Sequence, residues 1–146
     1  MVDRKARDNA AAVLRQLVEG AVTNVEYERK YPTNKDDPAL WAVYIQSWFS
    51  YSDRREHTLT GRYTPNDEGR RLFERCILFL RTDWEFEWPA PKIGLRGALI
   101  RLLGLGWLLK QRDRKEMSVG DVEVWPFLRR CDYESALGQQ RQPNKA

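Results

Sequence analysis

The sequence predicts a mainly α-helical fold with a minor two-stranded β element in its C-terminal half. In several segments apolar residues recur at three- and four-residue spacing, the period of an amphipathic helix. In two short segments after residue 83, apolar and acidic residues alternate, as in a half-buried strand. A length of 146 residues suits one domain with its own core. We therefore expect a single globular domain over residues 1–138 and a flexible tail over 139–146.

Two helices are predicted in the first 32 residues. Residues 3–19 carry an apolar stripe at helical spacing, with Asp3 as the expected N-cap and Gly20 as the stop signal. Asn24 is expected to cap a short second helix, which Pro32 ends.

A third helix is predicted to begin at Pro38, because Asp37 offers an N-cap and proline suits the first helical position. This helix is expected to run to about residue 50. The polar stretch 51–62 follows, where Gly61 marks a turn and a short hairpin would fit. The predicted third helix has a wide aromatic face, which consists of Trp41, Tyr44, Ile45, Trp48 and Phe49.

A fourth helix is predicted after Tyr63. The segment from Thr64 to Asp67 has the pattern of a capping box, with Pro65 at the first helical position. The residues that follow include an apolar stripe expected to be buried: Leu72, Phe73, Cys76, Ile77, Phe79 and Leu80.

The two β segments are predicted from alternation. In residues 84–88 three aromatic residues alternate with two glutamates, which indicates a half-buried strand or an extended arm. In residues 121–125 two valines alternate with acidic residues, and Pro126 would place that strand at an edge or at its own end. The two segments are expected to pair.

The only long apolar run of the chain, residues 93–109, has basic flanks. Between residues 92 and 115 seven Lys and Arg side chains stand against Asp113 alone, so this stretch has a net charge of +6 while the whole chain has +4. Three interpretations are open. The segment is a core or dimer-interface helix whose basic side chains extend to solvent, a membrane-surface helix, or a docking surface for another partner. The first is favoured.

A transmembrane span is not expected in this segment. Its length is at the short limit for a bilayer, and Arg96 and Arg101 lie inside it. Each central arginine costs roughly 2.5–3.5 kcal/mol on insertion. Four glycines further weaken a continuous helix.

Composition excludes several other classes. The pI near 9.2 comes from a local excess of Lys and Arg among Leu and Ile, whereas a nucleic-acid footprint spreads them over a polar face. Two cysteines give neither a disulfide framework nor a zinc pattern, which fits a reducing compartment. The charged N-terminus lacks the apolar segment of a secretory signal, so we expect a cytoplasmic protein.

The sequence offers little for catalysis. His57 is the only histidine, and a nucleophilic pair would need Cys76 to leave its apolar stripe. A metal site would need His57 with Asp53 and Glu56, a weak pattern beside a solvated loop. Phosphate loops, nucleophile elbows and catalytic zinc patterns are absent from the sequence. We therefore assign no catalytic, cofactor-binding or metal-binding residue and favour a protein that is not an enzyme.

One segment, YTPNDEGRRLFE at residues 63–74, resembles the turn-then-helix stretch that follows the wing in winged-helix regulators. Three preceding helices and a hairpin at 51–63 would fit that order. The resemblance implies a nucleic-acid-binding domain with the third helix at the recognition position. That helix, ALWAVYIQSWF, has no Lys or Arg for phosphates or base edges.

The density of Trp and Leu, with no catalytic pattern, favours a protein–protein interaction or self-associating domain. Membrane-surface binding through residues 92–115 is the first alternative, and a nucleic-acid-binding winged-helix-like domain is the second. The predicted interaction surface comprises Trp41, Tyr44, Trp48, Leu99, Leu102 and Trp107. The predicted contacts to an anionic partner are Arg96, Arg101, Lys110, Arg112, Arg114 and Lys115.

Overall fold

The computed structural model describes residues 1–32, 34, 36–52, 54–87 and 120–141. The mainly helical fold is confirmed over these residues. The predicted domain boundary at residue 138 lies inside the last helix. The α-helices of the described residues are α1 (Arg4–Val18), α2 (Asn24–Lys30), α3 (Pro38–Trp48), α4 (Asp67–Leu80) and α5 (Arg130–Arg141).

Local caps set both ends of α1, as predicted. The Asp3 side chain accepts a hydrogen bond from the Ala6 backbone N–H at 3.0 Å. At the other end Gly20 adopts a left-handed φ of 71°. Its N–H donates to the Leu17 carbonyl, and the next N–H donates to the Gln16 carbonyl, which is a Schellman motif.

The N-cap of α2 is Thr23, not Asn24 as predicted. Thr23 and Glu26 form a reciprocal capping box, in which each side chain accepts from the other residue's backbone N–H. Asn24 is the first helical residue and is buried, because its side chain bonds a distant loop instead of its own helix.

The predicted start of α3 is confirmed and that of α4 is shifted by two residues. Asp37 accepts from the Ala39 N–H, with Pro38 at the first helical position. The cap of α4 is Asn66, whose Oδ1 accepts from the Gly69 N–H at 2.8 Å. The prediction that Thr64 caps this helix is therefore wrong, because Asn66, two residues further along, accepts from an N–H group of the first turn.

The main core lies between α1 and α4, with α2 and α3 closing it on one side. Leu14 and Leu17 of α1 meet Phe73 and Leu80 of α4. Val43 of α3 packs into the same cluster. Each such fully buried side chain contributes roughly 1.5–3 kcal/mol relative to exposure, so this cluster stabilises the packing of α1 against α4.

A second core cluster, which contains several aromatic rings, involves Leu78 and Phe79 of α4. Phe79 and Phe127 pack edge to face with ring centroids 5.2 Å apart. Trp84 and Phe86 of the segment after α4 pack against the same cluster, while Glu85 and Glu87 are exposed. The alternation in residues 84–87 thus corresponds to an extended arm that buries one side of its chain.

The predicted pair of strands is not confirmed. Val122–Val124 form a 3₁₀ helix, and no strand occurs in the described residues. A strand would place both valines on one face, but Val124 is buried while Val122 is 65% exposed. The hairpin predicted for the stretch 51–62 is not seen in the described residues either. They include a 3₁₀ helix, Gly61–Tyr63.

Two arginines of α1 hold the C-terminal end of α4. Arg4 donates to the carbonyls of Leu80 and Thr82. Arg7 donates to the carbonyls of Thr82 and Trp84 at 3.1 and 2.7 Å. The Leu80 carbonyl is one that the end of α4 leaves without a helical partner, and the Thr82 and Trp84 carbonyls belong to the segment after the helix.

Candidate interaction face

The third helix has one buried face and one exposed face. Ala39, Leu40, Val43 and Ser47 are buried against the rest of the fold. The opposite side of α3 is apolar and mostly aromatic, and its members follow helical spacing. This outer face, which we call the α3 face, consists of Trp41, Tyr44, Ile45, Trp48 and Phe49.

The ends of the α3 face are the parts most open to solvent. Trp41 is 58% exposed and Phe49 is 70% exposed. Trp41 stacks on Tyr44 with ring centroids 5.8 Å apart, and Trp48 meets Phe49 edge to face at 5.4 Å. Tyr44, Ile45 and Trp48, which lie between these ends, are only partly exposed. Exposed apolar patches are typical of a protein or membrane contact site.

A tyrosine cluster between α2 and α3 supports this face from below. The Tyr27 ring lies 6.3 Å from Tyr44, and the Tyr31 ring lies 5.4 Å from it. Ser47 donates to the Tyr44 carbonyl, so the 2.6 Å contact between Tyr27 and Ser47 has the tyrosine hydroxyl as donor. Burial raises the pKa of Tyr27 far above its ordinary value, so this hydroxyl stays protonated.

A groove of about 400 Å³ opens beside Trp41, at the N-terminal end of α3. Two of its polar side chains already have partners. The Tyr31 hydroxyl donates to the Leu40 carbonyl, and Asn34 donates to Asp3 and accepts from the Asp36 N–H. The groove therefore suits an apolar occupant. Its lining residues are Tyr31, Pro32, Asn34, Pro38, Leu40, Trp41 and Tyr44.

Half of the predicted interaction surface lies in the described residues. Trp41, Tyr44 and Trp48 share the outer side of α3, as their spacing indicated, and their role in binding stays a prediction. The other predicted surface residues, Leu99, Leu102 and Trp107, lie outside the described residues. So do all predicted contacts to an anionic partner: Arg96, Arg101, Lys110, Arg112, Arg114 and Lys115.

The sequence prediction did not assign Phe49 to the site or identify the groove. Phe49 was part of the predicted aromatic face, and its position one turn after Ile45 was the available signal. No local sequence pattern indicated the groove, because Tyr31 and Asn34, which help to line it, lie outside α3.

The loop around His57 is fixed by the buried Asn24. The Asn24 side chain donates to the carbonyls of Ser52 and Arg55 and accepts from the His57 N–H. The Nδ1 atom of His57 lies 2.8 Å from the Arg55 carbonyl, so Nδ1 carries the proton that it donates to this oxygen. The ring stacks on Tyr63 at 3.9 Å.

Neither half of a nucleophilic pair is in place at this loop. The Nε2 atom of His57 has no hydrogen-bond partner, so it does not bond Cys76. Cys76 is buried in the main core, and burial raises the pKa of its thiol to about 12. A thiol in that state is not a nucleophile near neutral pH. The prediction of a buried Cys76 is confirmed, and Cys131 is exposed.

Two features are absent from the described residues. These residues contain no group of three or more His, Cys, Asp and Glu side chains arranged to hold a metal ion. Among the helices that they form, none has the length and apolar character needed to cross a bilayer. Comparison of the chain with protein-family models, curated proteins and solved structures found no match.

Proposed function

We propose that this chain is a protein-interaction domain that associates with a second copy of itself through the α3 face. The supporting observation is that α3 is apolar on its solvent side as well as on its buried side, and that the solvent side, from Trp41 to Phe49, is mostly aromatic. Tryptophan and other aromatics supply most hot-spot energy in protein interfaces. Aromatic side chains on an outer surface favour a role in binding another molecule over a role in catalysis.

The charge pattern supports a second copy as the partner. Residues 38–52 form the longest stretch of the chain without a charged side chain. A symmetric interface brings identical patches together, so a charge near its axis would meet its own copy and repel it. An uncharged helix avoids that cost.

Sedimentation velocity over a wide concentration range tests the proposal. We expect the native chain to shift from monomer to dimer as concentration rises, with little effect of added salt, because the contact is apolar. Trp41→Gln with Phe49→Gln should keep the chain monomeric. Val122→Gln is the matched control, because Val122 is 65% exposed and lies outside the α3 face. A native chain that stays monomeric at the highest concentration would disprove self-association.

Membrane-surface binding through residues 92–115 remains the alternative proposal, supported by the net charge of +6 on an apolar stretch. It predicts that vesicles containing anionic lipid retain the chain and that Arg96→Glu with Arg101→Glu releases it. Nucleic-acid binding by the same stretch would instead decrease steeply as salt rises.

A cytoplasmic location is part of the leading proposal and rests on the sequence alone.

A further inference from the structure

We propose that a free amino acid with an aliphatic side chain binds in a pocket between α1 and α4, away from the α3 face. The pocket has a volume of about 450 Å³ and is closed on one side by the loop that precedes α4. It combines an apolar floor with charged side chains of both signs at its rim, as a small zwitterion requires. This inference does not depend on the proposed function.

The floor of the pocket is aliphatic. Leu59 of the loop and Ile77 of α4 are buried in the main core, and Val18 of α1 packs against the same cluster. Among the described residues that line the pocket there is no aromatic ring. The volume lies within the range of roughly 300–1,000 Å³ that is usual for small-molecule sites. The floor therefore suits a branched aliphatic side chain such as that of leucine.

Each of the two helices contributes one arginine and one glutamate to the rim. Arg15 and Glu19 are one turn apart on α1, and Arg70 and Glu74 are one turn apart on α4. Residues four apart share a face of a helix, so both charged side chains of each helix lie on the side of the pocket. The rim thus offers guanidinium groups to a carboxylate, and carboxylates to an ammonium group, within one small site.

The charged groups of α4 are the more available to a ligand. On α1, Arg15 and Glu19 already contact each other at 3.9 Å. The Nε atom of Arg70 donates to the Pro65 carbonyl at 3.2 Å, which holds the guanidinium group in place and leaves its Nη atoms to donate elsewhere. Within the described residues Glu74 makes no hydrogen bond or ion pair. The ligand's carboxylate accordingly accepts from Arg70, and its ammonium group donates to Glu74.

This arrangement selects for a molecule with both charges next to its aliphatic group. A fatty acid would leave Glu74 without a partner, and an alkyl amine would leave Arg70 without one. In a peptide the ammonium and carboxylate groups are separated by the chain, whereas a free amino acid has both on one carbon atom. The rim is exposed, so each ion pair contributes little and the binding is weak.

Titration of the native chain with L-leucine, followed by methyl NMR, tests the site. We expect the methyl signals of Val18, Leu59 and Ile77 to shift, with a Kd of about 0.1–1 mM. Three analogues should each bind at least about 3-fold more weakly. Isocaproate lacks the ammonium group of leucine, isoamylamine lacks its carboxylate, and glycine lacks its side chain.

Removing one charge at a time tests the two assigned contacts. Glu74→Gln keeps the size of the side chain, so it should weaken L-leucine binding about 3- to 5-fold and leave isocaproate binding unchanged. Glu68→Gln is the matched control, because Glu68 is exposed on α4 and does not line the pocket.

Arg70→Gln should have the complementary effect. It should weaken the binding of L-leucine and isocaproate alike and spare isoamylamine, which has no carboxylate. Unchanged isoamylamine binding also shows that the pocket stays intact without the bond from Arg70 to Pro65. Arg71→Gln, at the next and exposed position of α4 outside the pocket, is the matched control.

Three results would overturn the proposal. The first is that the methyl signals of the floor do not move at about 10 mM L-leucine. The second is equal affinity for L-leucine, isocaproate and isoamylamine, because the apolar floor alone would then account for binding. The third is that Glu68→Gln weakens binding as much as Glu74→Gln does. None of these variants alters the α3 face, so the outcome is independent of whether the chain self-associates.

Discussion

Arg7 and Asp37 form a fully buried ion pair that ties α1 to the start of α3. The Arg7 Nε and Nη2 atoms donate to the two Asp37 carboxylate oxygens at 2.6 and 2.9 Å, and both side chains are 0% exposed. The remaining Arg7 nitrogen donates to the Thr82 and Trp84 carbonyls. One guanidinium group therefore joins α1, α3 and the segment after α4, and it fixes the N-terminal end of the α3 face.

Breaking this pair from one side should be costly. Arg7→Met leaves the Asp37 carboxylate buried without its counter-charge, and we expect the free energy of unfolding to fall by about 3–5 kcal/mol. Urea denaturation followed by circular dichroism measures the change. Arg15→Met is the matched control, because Arg15 and Glu19 form an exposed pair at 3.9 Å, and it should cost well under about 1 kcal/mol. Equal losses of stability for the two variants would show that burial does not increase the contribution of the Arg7–Asp37 pair.

Asp37 should also make the fold sensitive to acid. Burial works to raise the pKa of this carboxyl, but hydrogen bonds from Arg7, Asp3 and Ala39 outweigh it and hold the pKa below its ordinary value. Because the pKa is lower in the folded state, the ionised carboxylate stabilises the fold fully at pH values above its unfolded-state pKa of about 3.9. This stability is lost as the pH falls through the folded-state pKa.

Stability measured at pH values from 6 down to 2.5 checks this prediction. We expect Asp37→Asn to be less stable than the native chain at pH 6 and to lose less further stability on acidification. The asparagine keeps an oxygen for the Ala39 N–H, so the cap itself is largely preserved. Parallel curves for the two proteins would contradict a lowered pKa at Asp37.

The features that the sequence predicted well depend on neighbouring residues. The caps Asp3 and Asp37 act within three residues, and the side chains of the α3 face follow helical spacing. Arg7 was not predicted to be buried, because its partner lies thirty positions away and charged residues are usually exposed. The valine alternation was misleading because two repeats are too few to establish a period of two, and the segment forms a 3₁₀ helix in which Val124 is buried and Val122 is exposed.

The two thiols should differ sharply in reactivity. Cys131 is exposed, whereas Cys76 is buried and burial raises its pKa to about 12. Because the thiolate is the reacting form, we expect a chromogenic disulfide reagent at pH 8 to label one thiol quickly and the second only on unfolding. Cys131→Ser should abolish the fast phase, and urea should accelerate the slow one. Two equally fast thiols would contradict the burial of Cys76.

Gly20 is required at the end of α1 for two separable reasons. Its φ of 71° costs a residue with a side chain roughly 1–2 kcal/mol, and a Cβ there would lie 2.5 Å from the Thr60 Cγ2 atom. We expect Gly20→Ala to lower the free energy of unfolding by about 2 kcal/mol or more. Gly138→Ala, in α5 with nothing within 4 Å of its Cβ, should instead stabilise by up to about 1 kcal/mol.

The double variant Gly20→Ala with Thr60→Ser separates the two costs of Gly20, since serine lacks the Cγ2 atom and leaves only the backbone strain. In the Thr60→Ser background Gly20→Ala should therefore cost about 1–2 kcal/mol, less than in the native chain. Urea denaturation of the four proteins of this cycle gives the difference. An equal cost of Gly20→Ala in both backgrounds would mean that the neighbouring loop yields freely and that only the left-handed backbone demands glycine.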